Sequence, residues 1–253
     1  EFKRIDRWAL SRLEKVLTEA QGAYEGFEFY KAYKKIYDFC NEDMSMYYLD
    51  MVKGRLYTYA ADSQERRAAQ TVLYDILQAL VRILAPICVF TAEEIWQSLP
   101  GQGAVPPEAS VHLTGWPEMN FPKTEIEKEL EVAVGLIPEI SKLLEEKRAQ
   151  GFMGSSFEAQ IKLLTKDQNR YTYLESLKDD LPEIWKVSSV AVERTDDPGK
   201  GAPSRNYPDI SVVVEKASGQ KCPRCWNYKD SVGQSSLHPL LCAQCLKAIG
   251  EEK

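Results

Sequence analysis

Histidine is nearly missing from this chain, with only two residues, His112 and His238, among 253. They lie far apart in sequence, one in VHLTGW and one in SSLHPLL, and both read as loop residues. A nucleophile activated by a neighbouring imidazole is therefore hard to assemble. The chain also has no P-loop, no G-x-G-x-x-G after a strand and no G-x-S-x-G. Its carboxylates are spread over helix faces and read as solvated surface. By itself the chain is expected not to catalyse.

Long apolar runs are missing too. No stretch of about 18 apolar residues could span a membrane. The opening EFKRIDRWAL is charged and lacks the apolar core of a signal peptide. Ile5, Trp8, Leu13, Val16 and Leu17 already show helical spacing, so the start reads like the interior of a longer protein. An excess of positive charge is the third absence. Acidic residues number 38 against 32 basic ones, for a net charge of −6. A protein that coats itself with polyanions is usually basic, so any nucleic-acid contact here must come from a local patch.

What is present is mostly helical pattern. Residues 4–22 place Ile5, Trp8, Leu13, Val16, Leu17 and Ala20 on one face. Residues 27–60 read as a second long helical run, with Gly54 as its end or a kink. Asp62 and Glu65 resemble a capping box opening a third helix, whose core face is expected to carry Val72, Leu73, Ile76, Leu77, Leu80, Val81 and Leu84 before Pro86 closes it. Thr91 and Glu94 resemble another box, opening a short helix through Trp96. Short connections between such helices imply an antiparallel bundle.

The composition changes in 100–122, which reads as a linker rich in glycine and proline. A helix is expected from Thr124 to about Gln150, bent at Pro138. Residues 157–165, 187–194 and 210–217 alternate like strands, and QNRYTYLESL between the first two reads as helix. The expected fold is mainly α. A helical bundle (1–120) is followed by a small α/β unit (121–217) and a C-terminal module (218–253).

That module holds four of the six cysteines. Cys222-x2-Cys225 is followed by sixteen residues and then Cys242-x2-Cys245. The spacing fits a four-cysteine zinc site. Each C-x2-C knuckle brings two thiolates about 4 Å apart, and two knuckles complete a tetrahedron with Zn–S near ~2.3 Å. The intervening segment is too short and polar to build a core, so metal binding would supply its folding free energy. Two disulfides are the competing reading and need an oxidising compartment. One structural zinc per chain is expected, because four thiolates leave no open position for a substrate. Cys40 and Cys88 read as small buried core residues.

Aromatic and basic residues are interleaved. Eight of the thirteen tyrosines lie between Tyr24 and Tyr59, together with Lys31, Lys34, Lys35, Lys53 and Arg55. Unpaired RNA bases are bound by such side chains through stacking and phosphate contacts. Tyr33, Tyr37, Tyr47 and Tyr48 also fit bundle packing, and the 31–35 lysines fit an ordinary solvated face. Arg224 and Trp226 flank Cys225 on a knuckle that a metal would hold rigid. Arg224 offers a planar fork to a base edge or phosphate, and Trp226 a stacking surface. Packing of Trp226 over the zinc module is the alternative.

The segments RIDRWALSRL, DFCNEDMSMYYLDMVKGRLYTY, LVRILAPICVFTAEEIW, GSSFEAQI and KCPRCWNY with CAQC occur in this order. Together they resemble the C-terminal part of bacterial-type isoleucyl-tRNA synthetases, a family of class I enzymes. The helical segments are also similar to valyl, leucyl and methionyl members, and the cysteine-rich segment makes the isoleucyl likeness specific. The resemblance implies an anticodon-binding bundle and a zinc module that closes over the anticodon bases. It also implies that the H-I-G-H and K-M-S-K-S motifs, and the ATP they use, belong to a domain upstream of residue 1. By the same resemblance Arg224 and Trp226 would meet bases, and Lys53 and Arg55 would meet the phosphate backbone. The implied partner is an isoleucine tRNA, with no DNA and no membrane, for a cytoplasmic monomer. A zinc-stapled interaction module, or the same region of a valyl enzyme, is the alternative.

Overall fold

A computed structural model describes residues 1–100, 110–118, 125–197, 199 and 201–251. The chain begins with α1 (Arg4–Glu25) and α2 (Phe29–Asp38). The helix then widens into a π-helical segment, Phe39–Tyr48, before α3 (Leu49–Met51) and α4 (Lys53–Thr58). Next come α5 (Gln64–Leu84), α6 (Val89–Ser98), α7 (Ile126–Glu129), α8 (Glu131–Gly135) and α9 (Ile137–Ala149). Strand β1 (Ala159–Thr165) is followed by α10 (Gln168–Leu177), α11 (Leu181–Trp185) and β2 (Ser189–Arg194). The remainder is β3 (Ala202–Pro203), β4 (Ile210–Lys216), β5 (Gln220–Lys221), β6 (Tyr228–Lys229) and α12 (Ala243–Ala248). The fold is mainly α with a small mixed sheet, as the periodicity predicts. Among the described residues no helix is long and apolar enough to cross a membrane.

Two compact units emerge, and they interleave in sequence. The first comprises Glu1–Asp50 and Arg67–Glu127, the second Met51–Arg66 and Lys128–Lys253. In the first, α1 buries Ile5, Trp8, Leu13, Val16, Leu17 and Ala20, the face read from sequence. Ala32 and Ile36 of α2, and Phe39, Met44 and Tyr48 of the π-helical segment, are buried as well. Each such aliphatic side chain contributes about 1.5–3 kcal/mol. The Tyr48 hydroxyl donates to the buried Asp6 carboxylate at 2.8 Å, so the polar ends of both are satisfied within the core. A second cluster joins Val81, Ala85, Ala92, Trp96, Leu99 and Val111, with the Arg82 guanidinium 5.3 Å from the Trp96 ring.

The long helical run expected over 27–60 divides into α2, the π-helical segment, α3 and α4, and its interruption falls at Val52, while Gly54, the expected end or kink, lies inside α4. The pattern of the run is helical throughout, and the change of hydrogen-bond register leaves no mark in apolar spacing. Helix α6 begins at Val89, two residues before the expected box at Thr91. The expected start at Thr124 lies outside the described residues. Pro138 opens α9 near its first turn, where a missing N–H costs nothing, and does not bend a longer helix.

In the second unit the sheet order is β2-β1-β4-β3, with β1 and β2 parallel and the other pairs antiparallel. A parallel pair needs a crossover, and α10 with α11 supplies it. Leu174, Leu177, Leu181, Ile184 and Trp185 of these helices are buried, as are Ile161, Leu163, Val212 and Val214 of the strands. The Trp185 indole N–H donates to the Ala133 carbonyl at 2.8 Å. Helix α4 belongs to this unit too. Arg55 is 1% exposed, and its Nε lies 2.6 Å from Oε1 of Glu183 on α11.

Candidate metal centre and nucleic-acid interface

The C-terminal module is a short hairpin followed by a short helix. Strands β5 and β6 pair Gln220 with Lys229 and Lys221 with Tyr228. Beyond them Cys222 N–H donates to the Asn227 carbonyl at 2.9 Å, and Trp226 N–H to the Cys222 carbonyl at 2.8 Å. This turn is the first knuckle. Gly219 enters it at φ 81, and a Cβ there would press on the backbone of Lys229 and Asp230. Only glycine fits so close a crossing of two strands. The second knuckle is the start of α12, where the Cys242 carbonyl accepts from the N–H groups of Cys245 and Leu246.

Ser188 anchors the hairpin to the sheet. Its hydroxyl donates to the Phe157 carbonyl and accepts from Tyr228 N–H at 2.7 Å. Its own carbonyl takes a hydrogen bond from Lys229 Nζ at 3.1 Å. The side chain is almost wholly buried, so this bridge is shielded from water.

The four cysteine sulfurs converge, all lying within 4.8 Å of one another. Cys222, Cys242 and Cys245 are buried, and Cys225 is half-buried. A tetrahedron with Zn–S of ~2.3 Å has edges of about 3.8 Å. The Cys225 and Cys242 sulfurs lie 3.7 Å apart, which matches that edge and is far beyond a disulfide bond of about 2 Å. All six cysteines are free thiols. Hydrogen bonds within the cluster split the thiols: Cys225 and then Cys245 draw Cys242 well below its ordinary range, while Cys225 and then Cys242 push Cys245 up. Thiolate is the form that binds metal. Size, donor type and burial therefore fit one structural zinc held by Cys222, Cys225, Cys242 and Cys245. His238 stands outside this set.

Other expectations for the cysteines and tyrosines are divided. Cys40 is half-buried, but Cys88 is exposed at the cap of α6 and does not serve the core. Tyr48 is buried, whereas Tyr33 and Tyr37 are exposed and stack obliquely on each other. The lysines of α2 are held by carboxylates: Lys31 by Glu28, Lys34 by Asp38 and Lys35 by Glu19. This is the solvated face of paired charges that is also written in the sequence.

Of the four residues expected at RNA, the structure exposes two. Trp226 is 59% exposed, with Lys221 Nζ 6.0 Å from its ring centre. Its φ of 65° is left-handed, a conformation that costs a bulky residue about 1–2 kcal/mol. Lys53 is exposed at the start of α4. Arg55 is not available to a phosphate, because its guanidinium is buried against Glu183 and also donates to the Glu65 carbonyl at 3.3 Å. Arg224 turns inward. Its Nη1 donates to the Thr58 carbonyl and lies 3.6 Å from the Cys245 sulfur. Tyr57 was not singled out from sequence. It is 75% exposed and sits one turn after Lys53, on the same face of α4. That i, i+4 spacing was the available signal.

Comparison with known proteins agrees with this geometry. Residues 6–163 match the family described as the anticodon-binding domain of tRNA ligase. Residues 219–248 match a zinc finger found in FPG and IleRS. The chain is 39% identical to an isoleucine–tRNA ligase of Moorella thermoacetica, over 99% of this chain and 27% of the relative. It is also 39% identical to one of Syntrophotalea carbinolica, over 98% and 26%, and 38% identical to one of Fervidobacterium nodosum, over 98% and 27%. It thus spans about a quarter of the length of these relatives. With its helical unit matched to that family model and its cysteine cage matched to that zinc finger, the chain belongs to the family of tRNA-ligase anticodon-binding domains.

Proposed function

We propose that this chain recognises the anticodon arm of an isoleucine tRNA, as the anticodon-reading part of a cytoplasmic ligase that charges that tRNA using ATP. The observation that carries the reading is Trp226. An indole held in a left-handed backbone beside a metal cage, with most of its surface in water, does little for the fold. Strain of this kind persists where the surroundings over-determine it, typically at functional positions. A flat apolar ring on a rigid support is what an unpaired base needs, and stacking supplies about 1–3 kcal/mol per base.

The rest of the candidate surface lies on α4. Lys53 would meet backbone phosphate and Tyr57 would offer a second ring. Zinc bound by the four thiolates supplies rigidity to the knuckle and takes no part in any reaction. The acidic balance of the chain is consistent with this role. A tRNA ligase must choose among tRNAs of similar charge, and a few oriented contacts discriminate better than a basic coat.

The test is binding of isoleucine tRNA to the zinc-loaded chain, followed by nuclease footprinting. Affinity should fall with salt, protection should centre on the anticodon loop, and substitutions of anticodon bases should weaken binding. Equal affinity for all anticodon variants would remove the base-reading role. A second reading has one observation in its favour, the inward turn of Arg224, which suits a module stapled by zinc only to complete the fold. In that case Trp226→Ala would lower stability and leave tRNA affinity unchanged at matched zinc content.

A further inference from the structure

The side chain of Arg224 joins the zinc knuckle to helix α4. Helix α4 ends at Thr58, where the backbone turns extended at Tyr59, so the Thr58 carbonyl has no helical partner. Such a carbonyl needs a donor, and a cation suits the end of a helix. Arg224 Nη1 provides both. The neighbouring Tyr59 carbonyl is reached in the same way by Arg66 Nη1 at 3.4 Å. The same Nη1 of Arg224 lies 3.6 Å from the Cys245 sulfur, within the range of an N–H···S hydrogen bond. Cys245 is wholly buried, so little water competes for its lone pairs.

We propose that Arg224 is a positioning residue that couples metal occupancy to α4. It donates at once to the Cys245 thiolate of the zinc cage and to the last carbonyl of α4. When the cage is filled, the sulfur carries negative charge and holds the guanidinium in place. The guanidinium then fixes the end of the helix that carries Lys53 and Tyr57. When the cage is empty the knuckle loosens and the Thr58 carbonyl loses its cap. Lysine could not do this equally well, since its donors radiate from one atom, whereas guanidinium presents them in a planar fork. The inference concerns the fold around the metal and needs no RNA, so it stands or falls apart from the proposed function.

The experiment uses the full chain loaded with zinc, or with cobalt(II) as a coloured substitute, in wild type and in Arg224→Met. Hydrogen exchange is followed in peptides covering residues 53–60. In wild type, removing zinc should speed exchange there by about tenfold or more. In Arg224→Met the metal-loaded protein should already exchange near the depleted rate, and removing zinc should change it little. The cobalt–thiolate charge-transfer band should also move to lower energy in the variant, because a sulfur relieved of a hydrogen bond gives up its electrons more readily. Arg224→Gln is read in the same way if Arg224→Met retains no cobalt. An α4 that follows metal occupancy equally in wild type and variant, or a cobalt band that does not move, overturns the proposal. So does a variant that keeps both signals but loses tRNA affinity, which would make Arg224 a base contact.

Discussion

Arg55 and Glu183 stand 128 residues apart in sequence and meet at 2.6 Å, with the arginine side chain all but sealed from solvent. The pair fastens α4 to α11. Removing one partner of a buried pair leaves the other charged and unsolvated, and Glu183→Gln should cost about 3 kcal/mol. Replacing both by apolar residues, Arg55→Met with Glu183→Leu, should recover most of that loss, because neither charge is then stranded. Urea midpoints of the zinc-loaded proteins decide between these outcomes. A single variant as stable as wild type would show that the pair contributes nothing.

Metal removal gives a second expectation. Elemental analysis should find one zinc per chain, and Cys242→Ser should retain far less. The thiols must lose their protons to bind, so lowering the pH should release zinc and raising it should restore occupancy. Amide protection across 218–251 should fall with the metal, since few apolar side chains are buried there besides the cage itself: Val232 is buried and Leu241 half-buried. Full zinc retention by Cys242→Ser would contradict the four-thiolate cage.

The cysteine cage was legible because metal geometry fixes ligand spacing within a few residues. The strands β1, β2 and β4 were legible for a similar local reason, alternation over short runs. Arg55 was not. A basic residue in MVKGRLY looks the same from sequence whether it faces phosphate or a distant carboxylate, and Glu183 decides the matter through tertiary contact. Arg224 is a parallel case, its direction set by the Thr58 carbonyl 166 residues away. The π-helical segment was hidden because widening a helix leaves its apolar residues near their former spacing.

Gly219 offers a test of how tightly the hairpin is drawn. At φ 81 an alanine would be strained by about 1–2 kcal/mol, and its Cβ would come within 2.6 Å of the Asp230 nitrogen. The obstacle is backbone, which cannot swing aside as a side chain can. Gly219→Ala should therefore part β5 from β6, disturb the Cys222–Asn227 bond and speed zinc loss to a chelator by roughly tenfold. A chelation rate equal to that of wild type would mean that the hairpin does not govern the cage.

Trp226 brings stability and binding into opposition. Glycine at this position would accept φ 65° without strain, so Trp226→Gly should leave the zinc-loaded module as stable as wild type or more stable by about 1 kcal/mol. The indole is mostly exposed, and little packing is lost with it. Affinity for isoleucine tRNA should move the other way, falling by roughly 5- to 150-fold, the equivalent of ~1–3 kcal/mol of lost stacking. Trp226→Phe, which keeps a ring but not its full area, should fall between. Both quantities come from the same three proteins, by thermal melting with zinc in excess and by filter binding at fixed salt. A glycine variant that melts earlier and binds tRNA as well as wild type would assign the indole to the fold and take it away from the RNA.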